Sequence, residues 1–186
     1  MKEVYLVTRN KWKIKVAIRV IEEQYGIIVK SKDLGINELQ HDDPAVIARM
    51  SVKEAYQLLG APVIKCESGL NISGLNGFPG PYSNYIERTL GVENLLQVCA
   101  TLNNRNATIY SVVAFCDDRL NPIVFYDEVP GILLREKRGK HGYFFDSIFV
   151  PEGHDQTLAE LDDTKRWVFW KGAFEQFAEW YVMNEN

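Results

Sequence analysis

The first 29 residues alternate between two periodicities, and that alternation limits what the chain can fold into. Val4 to Val7 is a short apolar run of the kind a buried strand needs. After Thr8-Arg9-Asn10, the apolar residues Trp12, Ile14, Ala17, Ile18, Ile21 and Tyr25 recur at roughly helical spacing. Gly26 is placed to end that helix, and Ile27 to Val29 begins a second strand. Strand, helix and strand in such quick succession point to an α/β fold.

The same alternation continues. Asp42-Asp43-Pro44 is a helix start, an acidic cap with proline at the first helical position, and the helix runs to about Leu59. Pro62-Val63-Ile64-Lys65-Cys66 reads as a strand, Leu70 to Leu75 is mixed, and Asn76-Gly77-Phe78-Pro79-Gly80-Pro81 is a loop. Val92 to Leu102 reads as a helix. Ala107 to Cys116 and Ile123 to Val129 flank Asp117-Asp118 as the arms of a hairpin would, followed by a third β segment, Ile132 to Arg135. Gly139 to Gly142 reads as a turn, Phe144 to Val150 as a strand and Lys165 to Met183 as a C-terminal helix. No repeat, low-complexity tract or linker interrupts residues 1–186, so a single domain is expected.

Composition narrows the function classes. The chain has 186 residues, 46% of them hydrophobic, enough for one sizeable core. A net charge of −4 argues against non-specific nucleic-acid binding, which needs a basic face. No apolar stretch approaches the roughly 20 residues of a membrane span, and the N-terminus lacks the pattern of a signal peptide, so a cytoplasmic protein is expected. Cys66, Cys99 and Cys116 have neither disulfide-framework nor zinc-ligand spacing and are expected as buried thiols. His41, His141 and His154 show no ligand spacing and are expected at the surface.

Chemistry can be placed at several points. A strand leading through Thr8-Arg9-Asn10-Lys11-Trp12-Lys13 into a helix is an anion-binding arrangement, with Lys13 one turn in as a point charge. Taken alone it reads more simply as a plain connection with a solvated, lysine-rich first turn, since it is neither a P-loop nor a glycine-rich dinucleotide turn. Glu38 and Glu67 sit in a loop or at a strand end and could bind Mg²⁺ together, or be two of many exposed acids. Phe144, Phe145 and Asp146 offer two rings and an acid to a base, although core packing accounts for the rings as well. Trp167 and Trp170, three apart on a helix, are more simply face packing.

Taken in order, these segments resemble the inosine triphosphate pyrophosphatase family. Its Thr-Gly-Asn-x-x-Lys motif stands here as Thr8-Arg9-Asn10-Lys11-Trp12-Lys13, and its Glu-Ile-Gln loop as Glu38-Leu39-Gln40. The acid pair followed by Ser-Gly-Leu stands as Cys66-Glu67-Ser68-Gly69-Leu70. Gly-x-Pro-Gly-x-Tyr-Ser stands as Gly77-Phe78-Pro79-Gly80-Pro81-Tyr82-Ser83. The segment ending Gly-Phe-Gly-Tyr-Asp-Pro-Ile-Phe is similar to Gly142-Tyr143-Phe144-Phe145-Asp146-Ser147-Ile148-Phe149, and Ala159-Glu160-Leu161 and Lys165 follow it.

The resemblance implies two lobes about an elongated, bent, mixed sheet flanked by helices, with the active cleft between them, in a homodimer. It implies hydrolysis of deaminated purine nucleoside triphosphates (ITP, dITP, XTP) to the monophosphate and pyrophosphate with Mg²⁺, Mn²⁺ being the alternative metal. Thr8, Arg9, Asn10, Lys13 and Ser68 would hold phosphate, and Glu38 and Glu67 would hold metal, with Glu67 also the base. Phe144, Phe145, Asp146, Lys165, Trp170 and Lys171 would line the base pocket.

The chain departs from the family at the motifs that matter. Glu67 replaces an aspartate, Cys66 an acid and Arg9 a glycine. Phe169-Trp170-Lys171 stands in place of Ser-His-Arg, and lysine lacks arginine's planar fork. Altered base selectivity is the consequence expected for an active enzyme. The alternative is a non-catalytic nucleotide-binding or scaffold relative.

Overall fold

The computed structural model describes residues 2–37 and 39–184. Among them seven strands form one mixed sheet in the order β2-β1-β3-β5-β6-β7, where β5 is Asn106–Cys116, with β4 paired to β3 off that path. Strand β1 (Glu3–Val7) lies parallel to both β2 (Ile28–Lys32) and β3 (Val63–Ile72). Strand β4 (Pro79–Gly80) runs antiparallel to β3, and β7 (Phe149–Pro151) antiparallel to β6 (Ile123–Leu133). The expected α/β fold with a mixed sheet is what the chain adopts.

The chain divides into two compact units. Residues 1–67, 111–127 and 170–186 make the first, and residues 68–110 and 128–169 the second. The first unit holds β1, β2 and the helices α1 (Lys11–Ala17), α2 (Pro44–Leu59) and α6 (Gly172–Asn184). Its core includes Leu6, Ile21, Val52 and Ile64, together with an aromatic cluster in which Phe115 lies 5.4–5.6 Å, centroid to centroid, from Phe177, Trp180 and Tyr181. The second holds α3 (Ser83–Thr89), α4 (Gly91–Val98) and α5 (Asp163–Arg166), and its core includes Leu70, Leu95, Ile148 and Phe149.

Helix α2 follows its sequence signals. The Asp43 carboxylate accepts from the Ala45 amide at 2.8 Å, and Gly60 closes the helix at φ +67°. Elsewhere tertiary demands change the expected elements. The first helix is α-helical only to Ala17, and residues 18–22 widen into a π-helical stretch in which the Glu23 amide donates to the Ile18 carbonyl at 3.0 Å. Its buried positions are Trp12, Val16, Ala17, Val20 and Ile21, whereas Ile14 and Ile18 are only half-buried.

Strand β3 continues past Cys66 to Ile72, because residues 70 and 71 find partners in β4. Helix α4 stops at Val98, short of the expected Leu102, and the Cys99 carbonyl takes a bond from Arg105 Nη1 at 2.8 Å. The two expected strands at 123–129 and 132–135 are one, β6. Pro130 has no amide to offer the ladder, but its carbonyl accepts from Glu152 at 2.9 Å and pairing resumes at Gly131.

Ser83 shows how closely the β3–β4 corner is specified. Its hydroxyl is buried, donates to the Gly80 carbonyl at 2.7 Å and accepts from the Leu70 amide at 3.0 Å. Ser83→Ala leaves both buried main-chain groups without that partner. A stability loss of about 1–3 kcal/mol is expected, read as a lower urea midpoint at unchanged slope. A loss under about 0.5 kcal/mol would mean that water replaces the hydroxyl.

Candidate active site

The N-terminal segment is built by its own side chains. Beyond β1, the Thr8 amide stays laddered to the Lys32 carbonyl at 3.1 Å. Thr8 Oγ1 accepts from the Asn10 amide at 3.1 Å, and Asn10 Oδ1 accepts from the amides of Trp12 (2.9 Å) and Lys13 (3.2 Å). Asn10 is thus the cap of α1, and its oxygen already occupies two amides that the sequence offers to an anion. Arg9 is exposed, 3.6 Å from Asp33. Lys13 does not lie free along the helix: its Nζ donates to the Cys66 carbonyl at 2.6 Å.

That bond seats α1 on β3 one residue before Glu67. Alternation along the strand puts Lys65 and Glu67 on one face, where Lys65 Nζ lies 4.0 Å from Glu67 Oε1. Both side chains are largely buried, at 8% and 16% exposure. Cys66 points to the opposite face, and burial pushes its thiol up to about 11 despite the nearby lysines. Sequence reading passed over Lys65. A lysine two residues before an acid, in a strand of Val, Ile and Leu, was the available signal.

In the second unit, the strand expected over 144–150 begins instead as a 3-10 turn, Phe144–Ser147, and β7 starts only at Phe149. The cause is Asp146. One of its carboxylate oxygens accepts from the Tyr143 amide at 2.9 Å and from Arg166 Nη1 at 2.6 Å, which curls the segment on itself. Arg166, buried on α5, also reaches Asp163 at 2.8 Å. Gly142, at φ +79°, lies so close that a methyl group there would overlap both the guanidinium and the carboxylate. Burial raises the Asp146 carboxyl to about 6, against the pull of the Tyr143 amide and Arg166, with Glu87 adding to the rise.

Phe145 is buried, and Phe144 packs edge-on to it at 5.7 Å. Lys165 is exposed at the end of α5. The expected helix over 165–183 is interrupted by a 3-10 stretch, Trp167–Trp170, before α6 begins at Gly172. A side chain at Gly172 would overlap the Asp127 carboxylate. Lys171 pairs with Glu175 at 2.8 Å.

Of the expected site residues, the first unit therefore carries Thr8, Arg9, Asn10, Lys13, Glu67, Trp170 and Lys171, together with Lys65. The second carries Ser68, Phe144, Phe145, Asp146 and Lys165, with Arg166 added. Glu38 lies outside the described residues. Among those residues no group of three or more His, Cys, Asp or Glu side chains converges into an all-protein metal site. The three histidines are exposed and the three cysteines buried and free, as expected. No described helix is long and apolar enough to cross a membrane.

Known proteins share both sequence and fold with this chain. It is 40% identical to the dITP/XTP pyrophosphatase of Methanopyrus kandleri over 184 residues, 98% of this chain and 97% of that protein. It is 36% identical to the protein of the same name from Methanothermobacter marburgensis, over the same shares of each. The solved structure of a HAM1 protein from Coxiella burnetii superposes with a TM-score of 0.84 at 24% identity, covering all of both chains, which speaks to the fold. The Ham1 family model matches residues 4–180, a span that takes in every motif from Thr8 to Lys171, and the chain belongs to the Ham1 family.

Proposed function

We propose that this protein hydrolyses deaminated purine nucleoside triphosphates (ITP, dITP, XTP) to the monophosphate and pyrophosphate. The observation that carries this reading is the seating of Lys13 on the main chain beside Glu67, in a chain 40% identical to a dITP/XTP pyrophosphatase. That bond joins the phosphate-type turn of Thr8 and Asn10 to the carboxylate best suited to act as base.

In this reading Thr8, Arg9, Asn10, Lys13 and Ser68 bind the phosphates. Glu67 orients a water and takes its proton as the water's oxygen attacks the α-phosphorus. The bond to the bridging oxygen breaks, and pyrophosphate leaves with the electron pair. Glu67 also suits a divalent cation. It presents hard oxygen donors, and Mg²⁺ characteristically takes one or two carboxylates and fills its shell with water and phosphate oxygens. Glu38 would be the second carboxylate, and Mn²⁺ would substitute. When bound, such an ion neutralises phosphate charge.

Phe144, Phe145, Asp146, Lys165, Trp170 and Lys171 are assigned to the base. Asp146 is held by Arg166 and Lys171 by Glu175, and neither lysine nor tryptophan provides a bidentate fork. Weaker selectivity for ITP over ATP than a forked pocket would give is therefore expected. The reading includes a cytoplasmic homodimer, following the resemblance.

The test is release of pyrophosphate and of phosphate from ITP, dITP, XTP, GTP and ATP, with Mg²⁺ or Mn²⁺. Pyrophosphate without single phosphates, fastest from a deaminated purine, is the expected result. No pyrophosphate from any nucleotide with either metal would overturn the reading.

A further inference from the structure

Lys65 is out of character with its strand. Val63, Ile64, Leu70 and Ile72 are fully buried apolar residues, yet between them stands an ammonium whose side chain is only 8% exposed. Lysine is almost never buried this deeply unless a counter-charge holds it there. The counter-charge at hand is Glu67, 4.0 Å away on the same face. Lys13 adds a second ammonium, bonded at 2.6 Å to the Cys66 carbonyl, so two fixed positive charges flank the peptide that carries Glu67.

We propose that Lys65 is a resident counter-ion of Glu67 that sets how tightly this carboxylate takes a divalent cation. The inference rests on the reading above, in which Glu67 is a metal ligand. A cation bound to a carboxylate oxygen sits about 2.0–2.1 Å from it, and the Lys65 ammonium is already close to that same oxygen. Two cations there repel, and at a largely buried site salt screens that repulsion poorly. The substrate-free protein therefore holds the metal weakly. The triphosphate, whose negative charge offsets the crowding, brings the metal with it and finds Lys65 and Lys13 already in place.

The experiment measures Mn²⁺ affinity of the full, substrate-free chain from the electron paramagnetic resonance of free Mn²⁺. Lys65→Met is expected to tighten Mn²⁺ binding by about tenfold, as removal of one nearby like charge would. Lys65→Arg, which keeps the charge, should bind as the parent does. Lys65→Met in a Glu67→Gln background should show no gain. Lys65→Gln serves the same comparison if circular dichroism shows the methionine variant unfolded. Neutral variants that bind no more tightly than the parent overturn the proposal, as does a gain in Lys65→Arg or one that survives Glu67→Gln. Failure of the broader reading has a separate readout, the absence of pyrophosphate release by the parent.

Discussion

Glu67→Gln is expected to lower kcat/KM for pyrophosphate release by about 10²–10⁴-fold, the usual worth of a positioned general base. Glutamine has nearly the same shape, so it keeps the place on β3 between the buried Lys65 and the strand's continuation into Ser68. It lacks the charge to take a water's proton or to hold a hard cation. A matched urea midpoint would separate lost chemistry from lost fold. Should the variant retain more than a tenth of the parent's activity, the base lies elsewhere.

The second large effect is on stability. Asp146 and Arg166 are 5% and 3% exposed and 2.6 Å apart, and removing one member of such a pair strands the other as a buried charge. Arg166→Met is expected to cost about 3–5 kcal/mol near pH 8. The pH dependence follows from the raised carboxyl of Asp146, about 6 when folded against an ordinary 3.8. The folded protein favours the protonated form, so this group's contribution to stability is full below about pH 4 and is lost as pH rises through 6.

Without Arg166 the carboxyl rises further, and its protonation at acid pH relieves the strain. The Arg166→Met deficit should therefore be smaller at pH 5 than at pH 8, and Asp146→Asn should flatten the parent's slope between pH 4 and 6. Equal deficits at pH 5 and pH 8, in urea titrations, would remove Asp146 as the responsible group.

What could be read from sequence was what short-range chemistry decides. Asp43-Pro44 and Gly60 bound α2 through groups within a few residues of one another, so both ends of that helix were legible. The motif residues were legible because their order along the chain is itself information. The misreadings trace to partners far away in sequence. Gly172 must be bare because Asp127 lies against it, and the expected continuous C-terminal helix is divided just before it by the 3-10 stretch Trp167–Trp170. The segment after Gly142 curls because Arg166, 20 residues beyond Asp146, binds that carboxylate. Lys65 drew no reading beyond its place in a strand, and only the burial along β3 shows that its charge is held inside.

The bond from Lys13 to the Cys66 carbonyl has a consequence for affinity. A lysine side chain free in solvent samples many rotamers, and fixing it forfeits up to about 2 kcal/mol of conformational entropy. Here the side chain is stretched across to β3 before any anion arrives, so that ordering takes place during folding and not during association. In its proposed phosphate-binding role, Lys13 would meet the anion with its side chain already ordered. Exchanging the carbonyl for a phosphate oxygen would then replace one acceptor by a stronger, charged one, with much of the ordering cost already met.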